Sequence, residues 1–250
     1  MSVNLTIIGE GKPVVFLHGF LESSSMWNYL DFSSSSIQCI YVDIPGHGNS
    51  TVPKSKEKSI SNLAKLIIET LHKNGILRYD IVGHSMGGYV ALEMAKQVSF
   101  EPKVILLNSN FWEDSIEKKN NRNRVISIVN QNKDLFINEA IPGLFCNPKQ
   151  HYKAIKHLIE EAKKITIEGI EYATIAMRDR PDLTNLALKI NAQLVCLQGE
   201  KDMIVSQNEM IHKCMDKIPH VILPSVGHMA HIESSEVVRV TIEQILFEKL

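Results

Sequence analysis

Short apolar runs alternate with amphipathic stretches of helical period along most of the chain. Leu5–Ile8, Val14–Leu17, Ile37–Val42, Asp80–Val82, Lys103–Leu107, Gln193–Leu197 and Val221–Leu223 are brief, mostly aliphatic segments that read as strands. Between them, Asn62–His72 places Leu63, Leu66, Ile67 and Leu71 on one helical face. A second helix is predicted from just after Gly83-His-Ser-Met-Gly-Gly through Ala95. Glu236–Leu250 spaces Val237, Val240 and Ile245 as a docking helix would. Strands alternating with helices predict an α/β fold, a mostly parallel central sheet with helices on both faces. Leu5–Ile8 and Val14–Leu17 flank Gly9-Glu-Gly11-Lys-Pro13 and read as a hairpin at the sheet edge.

One stretch breaks the alternation. Between Leu107 and Gln193 the periodicity is helical and no strand is convincing. Ala154, Ile155, Leu158, Ile159 and Ala162 fall on one face, as do Ile167, Ile170, Thr174 and Met177. A structureless loop of that length is implausible inside a compact domain. The pattern therefore predicts a core domain over 1–110 and 190–250, with 111–189 inserted as a helical cap or lid. The polar run Glu117–Arg124 reads as a solvated helix face or a hinge.

Composition narrows the function classes. Of 250 residues, 44% are hydrophobic and 22% charged, which suits a globular chain able to bury a large core. A net charge of −1 gives no electrostatic reason to expect nucleic acid or an anionic membrane as partner. Cys39, Cys146, Cys196 and Cys214 are scattered without a Cys-x-x-Cys pair, so neither a disulfide framework nor a zinc site is expected. The first residues lack a signal-peptide pattern and no apolar stretch is long enough for a membrane helix, so a cytoplasmic location is the default expectation.

Chemistry enters at Gly83-His84-Ser85-Met86-Gly87, a Gly-x-Ser-x-Gly motif set between a strand and a helix. Such a turn is sharp, so the serine takes strained backbone angles and its neighbours must be small. It presents the hydroxyl at a helix N-terminus, where backbone N–H groups favour developing negative charge. Upstream, Val14–Leu17 ends in His18-Gly19-Phe20, where the N–H groups of Phe20 and Met86 are the expected oxyanion donors. His18 reads as a loop-shaping residue, and His84 as a structural residue packed beneath the turn.

A serine hydroxyl needs a base oriented by an acid. His228, in Ser225-Val-Gly-His, follows the last strand, and Asp202, in Gly199-Glu-Lys-Asp, follows the strand before it. Rivals are His231 for the base, and Glu200 or Asp43 for the acid. His231 lacks a preceding glycine. Glu200 and Asp202 are too close in sequence for both to point inward, and Asp43 heads a turn-rich loop it is placed to brace.

Taken together, His18-Gly-Phe, Asp43-Ile-Pro-Gly-His-Gly-Asn-Ser50, Gly83-His-Ser-Met-Gly-Gly, Gly199-Glu-Lys-Asp202 and Gly227-His228 resemble the α/β-hydrolase superfamily, in its serine-nucleophile branch with a helical lid. The resemblance covers the core, and it implies Ser85, Asp202 and His228 as the catalytic residues, in the chain order that fold uses. An aspartate nucleophile, as in haloalkane dehalogenases and epoxide hydrolases, is excluded by Ser85. The branches left resemble small carboxylesterases, thioesterases, carbon–carbon bond hydrolases and the lyase of menaquinone synthesis.

The expectation is therefore hydrolysis of a small carboxylic ester or thioester, with a small-molecule substrate and no metal or organic cofactor. A lyase or carbon–carbon hydrolase using the same residues on a carboxylated substrate is the second reading. A low-turnover ligand-binding receptor on the same fold is the third. Leu21, Trp112, Met203 and Met229 are candidate pocket residues by proximity to the motifs, and each suits core packing equally well. In Met177-Arg178-Asp-Arg180-Pro-Asp182, an inward arginine would grip a substrate carboxylate, whereas the competing reading is a surface ion-pair cluster. Oligomeric state has no signature in the chain.

Overall fold

The computed structural model describes residues 2–247. Seven strands form one sheet: β1 (Leu5–Ile8), β2 (Lys12–Leu17), β3 (Ile37–Val42), β4 (Asp80–His84), β5 (Val104–Leu107), β6 (Leu194–Gly199) and β7 (His220–Leu223). Their spatial order is β1-β3-β2-β4-β5-β6-β7, with β1 antiparallel to β3 and every other neighbouring pair parallel. The helices are α1 (Ile60–Lys73), α2 (Met86–Gln97), α3 (Ile116–Ala140), α4 (Tyr152–Lys163), α5 (Ile167–Arg178), α6 (Thr184–Lys189), α7 (Gln207–Cys214), α8 (Ala230–Glu233) and α9 (Ser235–Phe247).

The central strands are almost wholly buried and mostly apolar because both faces are covered. Val15 and Leu17 of β2 pack with α1 and α2, whereas Val14 and Phe16 pack with Trp27 and with Val238 and Ile242 of α9. That demand for two-sided burial also corrects the expected hairpin. β3 lies between β1 and β2, so the two are not neighbours. Gly9 (φ +79°) and Gly11 (φ +121°) carry the chain across the start of β3, where a Cβ would stand 2.8 Å from the Ile37 carbonyl oxygen and 2.3 Å from that of Ser36. The apolar β2 thus takes an interior place, and the largely exposed β1 caps the edge.

α1 buries Leu63, Ile67 and Leu71 as its periodicity predicts, with Leu66 only half-buried. In the C-terminal helix Ile245 faces the sheet as expected, with Val238, Ile242 and Leu246, whereas Val240 is half-buried and Val237 is 51% exposed. Residues 248–250 of the expected helix lie outside the described residues.

Among the described residues no strand interrupts the segment between β5 and β6, which consists of α3–α6 and a short turn of helix at Pro142–Leu144. It has its own apolar core, including Val129, Ile137, Ile155, Leu158, Ala162 and Ile170. α3 kinks at Asn132 (φ −157°, ψ 86°), whose side-chain oxygen accepts from the Leu135 N–H at 3.0 Å and restarts the helix as an N-cap would. No described helix is long and apolar enough to cross a membrane.

Candidate active site

β4 ends at His84 and α2 begins at Met86, so Ser85 alone makes the turn, at φ 49° and ψ −115°. A non-glycine residue there is strained and must be held. The Ser85 N–H donates to the Leu107 carbonyl (3.0 Å), and its own carbonyl accepts from the Gly88 N–H (3.0 Å) and the Ser109 hydroxyl (2.6 Å). The glycine requirement is equally physical. A Cβ on Gly83 would lie 2.4 Å from the Gly87 carbonyl oxygen, and one on Gly87 only 2.2 Å from that of Leu17.

The fold brings Ser85, His228 and Asp202 into one hydrogen-bonded chain. His228 Nε2 is 2.9 Å from Ser85 Oγ, and its Nδ1 is 2.9 Å from Asp202 Oδ2. Asp202 is a hub. Its Oδ2 also accepts from Asn108 Nδ2 (2.9 Å) and Gln198 Nε2 (3.0 Å), while Oδ1 accepts the N–H groups of Ile204 (2.8 Å) and Val205 (3.0 Å). Burial pushes this carboxyl up. The His228 ring and these donors outweigh it and hold the group well below the usual carboxylate range. Nδ1 of His228 is thereby fixed as the protonated nitrogen and Nε2 is left to accept from the serine.

Asn108 and Gln198 were not singled out from the sequence. Both follow or end apolar strands and are fully buried, and a polar side chain in that setting must be satisfied by a specific partner. Asn108 also has φ 47°, a conformation that asparagine tolerates better than most residues.

The rivals have other work. Glu200 is at the surface and accepts from the Ser225 N–H (2.8 Å). Asp43 accepts from the N–H groups of Ser24 (2.8 Å) and Asn49 (2.9 Å) and braces its loop. His18 Nε2 accepts from the Ile44 N–H (2.9 Å), which leaves Nδ1–H to donate to the Gly19 carbonyl (2.8 Å). His231 is wholly buried and its ring nitrogens make no hydrogen bond. Burial there pushes its pKa down to about 3, so it is neutral.

Ser85 and His228 open onto a cavity of about 340 Å³. Phe20, Leu21 and Met229 line it from the core, and Val125, Phe136 and Leu144 from the helical segment. Neither the Phe20 nor the Met86 N–H donates a hydrogen bond within the described residues.

Three candidate pocket residues lie elsewhere. Met203 is 85% exposed at the surface. Arg178 is turned outward by its pairing with Asp179 and Asn123. Trp112 is buried outside the cavity, where its carbonyl accepts from Arg180 Nε (3.1 Å). Arg180 is itself a buried structural residue, 2.7 Å from Asp114 Oδ1 and stacked 4.1 Å from the Tyr89 ring centre.

Among the described residues, the cation that does line the cavity is Arg122, whose Nε donates to Asp114 Oδ2 at 3.1 Å. It lies in the polar run read as a solvated face, and most of that run is indeed exposed. Its signal was the phase: Arg122 precedes Val125 and Val129 by three and seven residues, the spacing of the inward stripe.

Beneath the serine, Glu22, His84 and His231 bring potential metal-ligand atoms within 4.8 Å of one another. Two of the three are already joined, since His84 Nδ1 is 2.9 Å from Glu22 Oε2. The other His84 nitrogen is 2.9 Å from the His228 carbonyl oxygen.

Sequence comparison matches residues 14–240 to the profile described as "Alpha/beta hydrolase family". The chain is 25% identical over 255 residues to the putative 2-succinyl-6-hydroxy-2,4-cyclohexadiene-1-carboxylate synthase of Bacillus subtilis (strain 168), covering 93% of this chain and 90% of that protein. It is 26% identical to Protein PHYLLO, chloroplastic, of Arabidopsis thaliana, but spans only 15% of that protein's length. Among solved structures, a thermophilic esterase from Thermogutta terrifontis, described as malate-bound, superposes with a TM-score of 0.89 at 28% identity, covering 98% of this chain and 92% of that one.

Proposed function

The chain belongs to the alpha/beta hydrolase family, and from that premise we propose that it hydrolyses small carboxylic esters or thioesters by acyl transfer. The observation that carries this reading is the His228 bridge, with Nε2 on Ser85 Oγ and Nδ1 on Asp202. Ser85 Oγ attacks the carbonyl carbon as its proton passes to His228 Nε2, and Asp202 stabilises the imidazolium that forms. The carbonyl oxygen, now negative, is received by the Phe20 and Met86 N–H groups, worth roughly 3–4 kcal/mol each in such sites. His228 then protonates the departing alcohol or thiol, leaving Ser85 acylated. Water repeats the sequence, giving its proton to His228 and its oxygen to the acyl group, and Ser85 is released.

The cavity supports a small and mostly apolar acyl group. Leu21, Val125, Phe136, Leu144 and Met229 surround the serine, and water excluded by such a wall strengthens the charge interactions within. The likeness to the Thermogutta terrifontis esterase supports the same class.

A second reading rests on Arg122. A guanidinium on the cavity wall could bind a substrate carboxylate, as a lyase or carbon–carbon hydrolase would need, and the Bacillus subtilis relative is named for a carboxylate-bearing product. Against it, Arg122 is already paired with Asp114.

The test is turnover of p-nitrophenyl esters of graded acyl length, beside Ser85→Ala and labelling by a serine-directed phosphonate. The expected result is turnover that falls with long acyl chains and drops by several orders of magnitude in Ser85→Ala. Phosphonate labelling without ester turnover would overturn the esterase reading in favour of the second, and full activity in Ser85→Ala would overturn both.

A further inference from the structure

Glu22 and His84 lie outside the chemistry derived above, yet each is tied to a different part of it. Glu22 follows the His18-Gly-Phe-Leu loop and is 5% exposed. Its Oε2 accepts from the Gly19 N–H (2.6 Å) and from His84 Nδ1 (2.9 Å). Gly19 immediately precedes Phe20, whose N–H is the proposed oxyanion donor. The fit is tight: a Cβ on Gly19 would stand 2.5 Å from Glu22 Oε2 and 2.8 Å from His84 Nδ1. On the far side, His84 Nε2 reaches the His228 carbonyl (2.9 Å), while the His228 N–H donates to the Leu144 carbonyl (2.9 Å). The backbone of His228 is thus clamped between His84 and the helical segment.

The chemistry of the partners decides the charge. One His84 nitrogen faces a carboxylate and the other a backbone carbonyl, and neither carbonyl nor carboxylate oxygen can donate. A neutral imidazole carries a single N–H and would leave one contact as two facing acceptors. With Glu22 ionised, as the Gly19 N–H on the same oxygen favours, only the imidazolium donates at both ends. We propose that Glu22 and His84 form a buried carboxylate–imidazolium pair that positions the oxyanion loop and His228 relative to Ser85, making both of them positioning residues for acyl transfer.

The surroundings agree. Burial lowers the basicity of His84, but the Glu22 carboxylate and its hydrogen bond reverse that, and the net direction is up. Burial raises Glu22, and the histidines around it, His84 foremost, bring it down to about 2. The other ionisable groups facing the pair are His18 and His231, both of them pushed towards the neutral form by burial, together with His228 and Asp202. His231 Nε2 stands 3.8 Å from Glu22 Oε1, too far for a hydrogen bond. Among the described residues, His84 is therefore the one partner able to neutralise Glu22 at hydrogen-bond distance. A buried carboxylate without it would be strongly disfavoured.

The pair explains why the residue before the nucleophile is histidine. It also gives Glu22, which carries no motif signal, a reason to be acidic and buried.

This inference rests on the esterase reading only for its kinetic consequence. Its charge can be read without any substrate. In histidine-15N-labelled protein, one imidazolium signal should persist above the ordinary histidine pKa of 6.5, where the exposed histidines have become neutral, and vanish in His84→Gln. In Glu22→Gln that histidine should titrate at lower pH. With p-nitrophenyl acetate, Glu22→Gln should lower kcat roughly 10- to 100-fold with KM within about threefold, and slow phosphonate labelling of Ser85 in proportion, whereas Glu22→Asp should recover part of the rate. A purely structural role would lower Tm and leave kcat unchanged. Should Glu22→Gln fail to fold, the NMR signal of the unsubstituted protein still decides. A neutral His84 at pH 7, or an unchanged kcat in a folded Glu22→Gln, overturns the proposal. The esterase reading would instead be overturned by turnover that survives in Ser85→Ala.

Discussion

Replacing Asp202 by asparagine keeps the shape of the side chain and exchanges one oxygen for an NH2 group, and no orientation of that amide suits all its neighbours. With nitrogen at the Oδ1 position, the N–H groups of the buried Val205 and of the more exposed Ile204 lose their acceptor. The Val205 N–H cannot re-partner, at roughly 1–3 kcal/mol, and the Ile204 N–H loses a bond worth roughly 0.5–1.5, about 1.5–4.5 in total. With nitrogen at the Oδ2 position, it meets His228 Nδ1, Asn108 Nδ2 and Gln198 Nε2. Asn108 and Gln198 keep second acceptors in the carbonyls of Gly227 and Val205, so each loses one neutral bond, about 1–3 kcal/mol together. His228 escapes by moving its proton from Nδ1 to Nε2. The second orientation is therefore the cheaper, and it inverts the tautomer: Nε2 then presents a proton to Ser85 and can no longer accept one. The expected outcome is a kcat lower by about 10⁴ with a stability loss of only about 1–3 kcal/mol. Steady-state turnover of p-nitrophenyl acetate and urea unfolding measure the two quantities. A folded Asp202→Asn enzyme within tenfold of the parent kcat would refute the reasoning. So would a large stability loss with the rate retained, which would mean that the amide chose the other orientation.

Two further outcomes follow from packing and burial. Gly87→Ala would place a methyl group 2.2 Å from the Leu17 carbonyl oxygen and 2.7 Å from that of His18; both are backbone, so thermal unfolding should register a loss of at least about 3 kcal/mol, and a loss under 1 kcal/mol would show that the elbow can shift. Burial holds His47 and His231 at about 3, against an ordinary 6.5; the unfolded chain therefore binds protons that the fold refuses, and stability present above about pH 6.5 is lost as pH falls towards 3. Glu22, held at about 2 against 4.5, adds a loss below about pH 4.5, whereas His84 acts oppositely, its contribution complete below 6.5 and lost as pH rises through its raised value. Urea midpoints should drop between pH 7 and pH 5 and the drop should shrink in His231→Leu; equal midpoints at the two pH values would contradict this account.

Much of the fold was legible because its signals are local. The period-two and period-3.6 patterns mark β2 to β7, α1, α2 and the helical segment within a few residues, since burial on known faces is written directly into residue type. The hairpin was misread for a reason equally physical: two strands joined by a glycine-rich link look alike whether they pair with each other or admit a third strand between them. In α9 Ile245 is buried as its spacing predicts, but Val238 takes the place expected of Val237, because the two are chemically equal and only the docking angle selects Val238.

The candidate site divides along the same line. By itself the sequence determined that a serine stands on a glycine-flanked strand-to-helix turn, and that an aspartate and a histidine follow later strands. A parallel sheet delivers all its strand ends to one edge, which suffices to gather Ser85, Asp202 and His228. Only the tertiary structure decided which side chains surround them. It turned Arg122 towards the cavity and Arg178 away, left Met203 at the surface, placed Asn108 and Gln198 on Asp202, and joined Glu22 to His84 across 62 residues. Those contacts depend on helix rotation and loop path, which are set by the sum of many packing interactions. No single residue type records that sum.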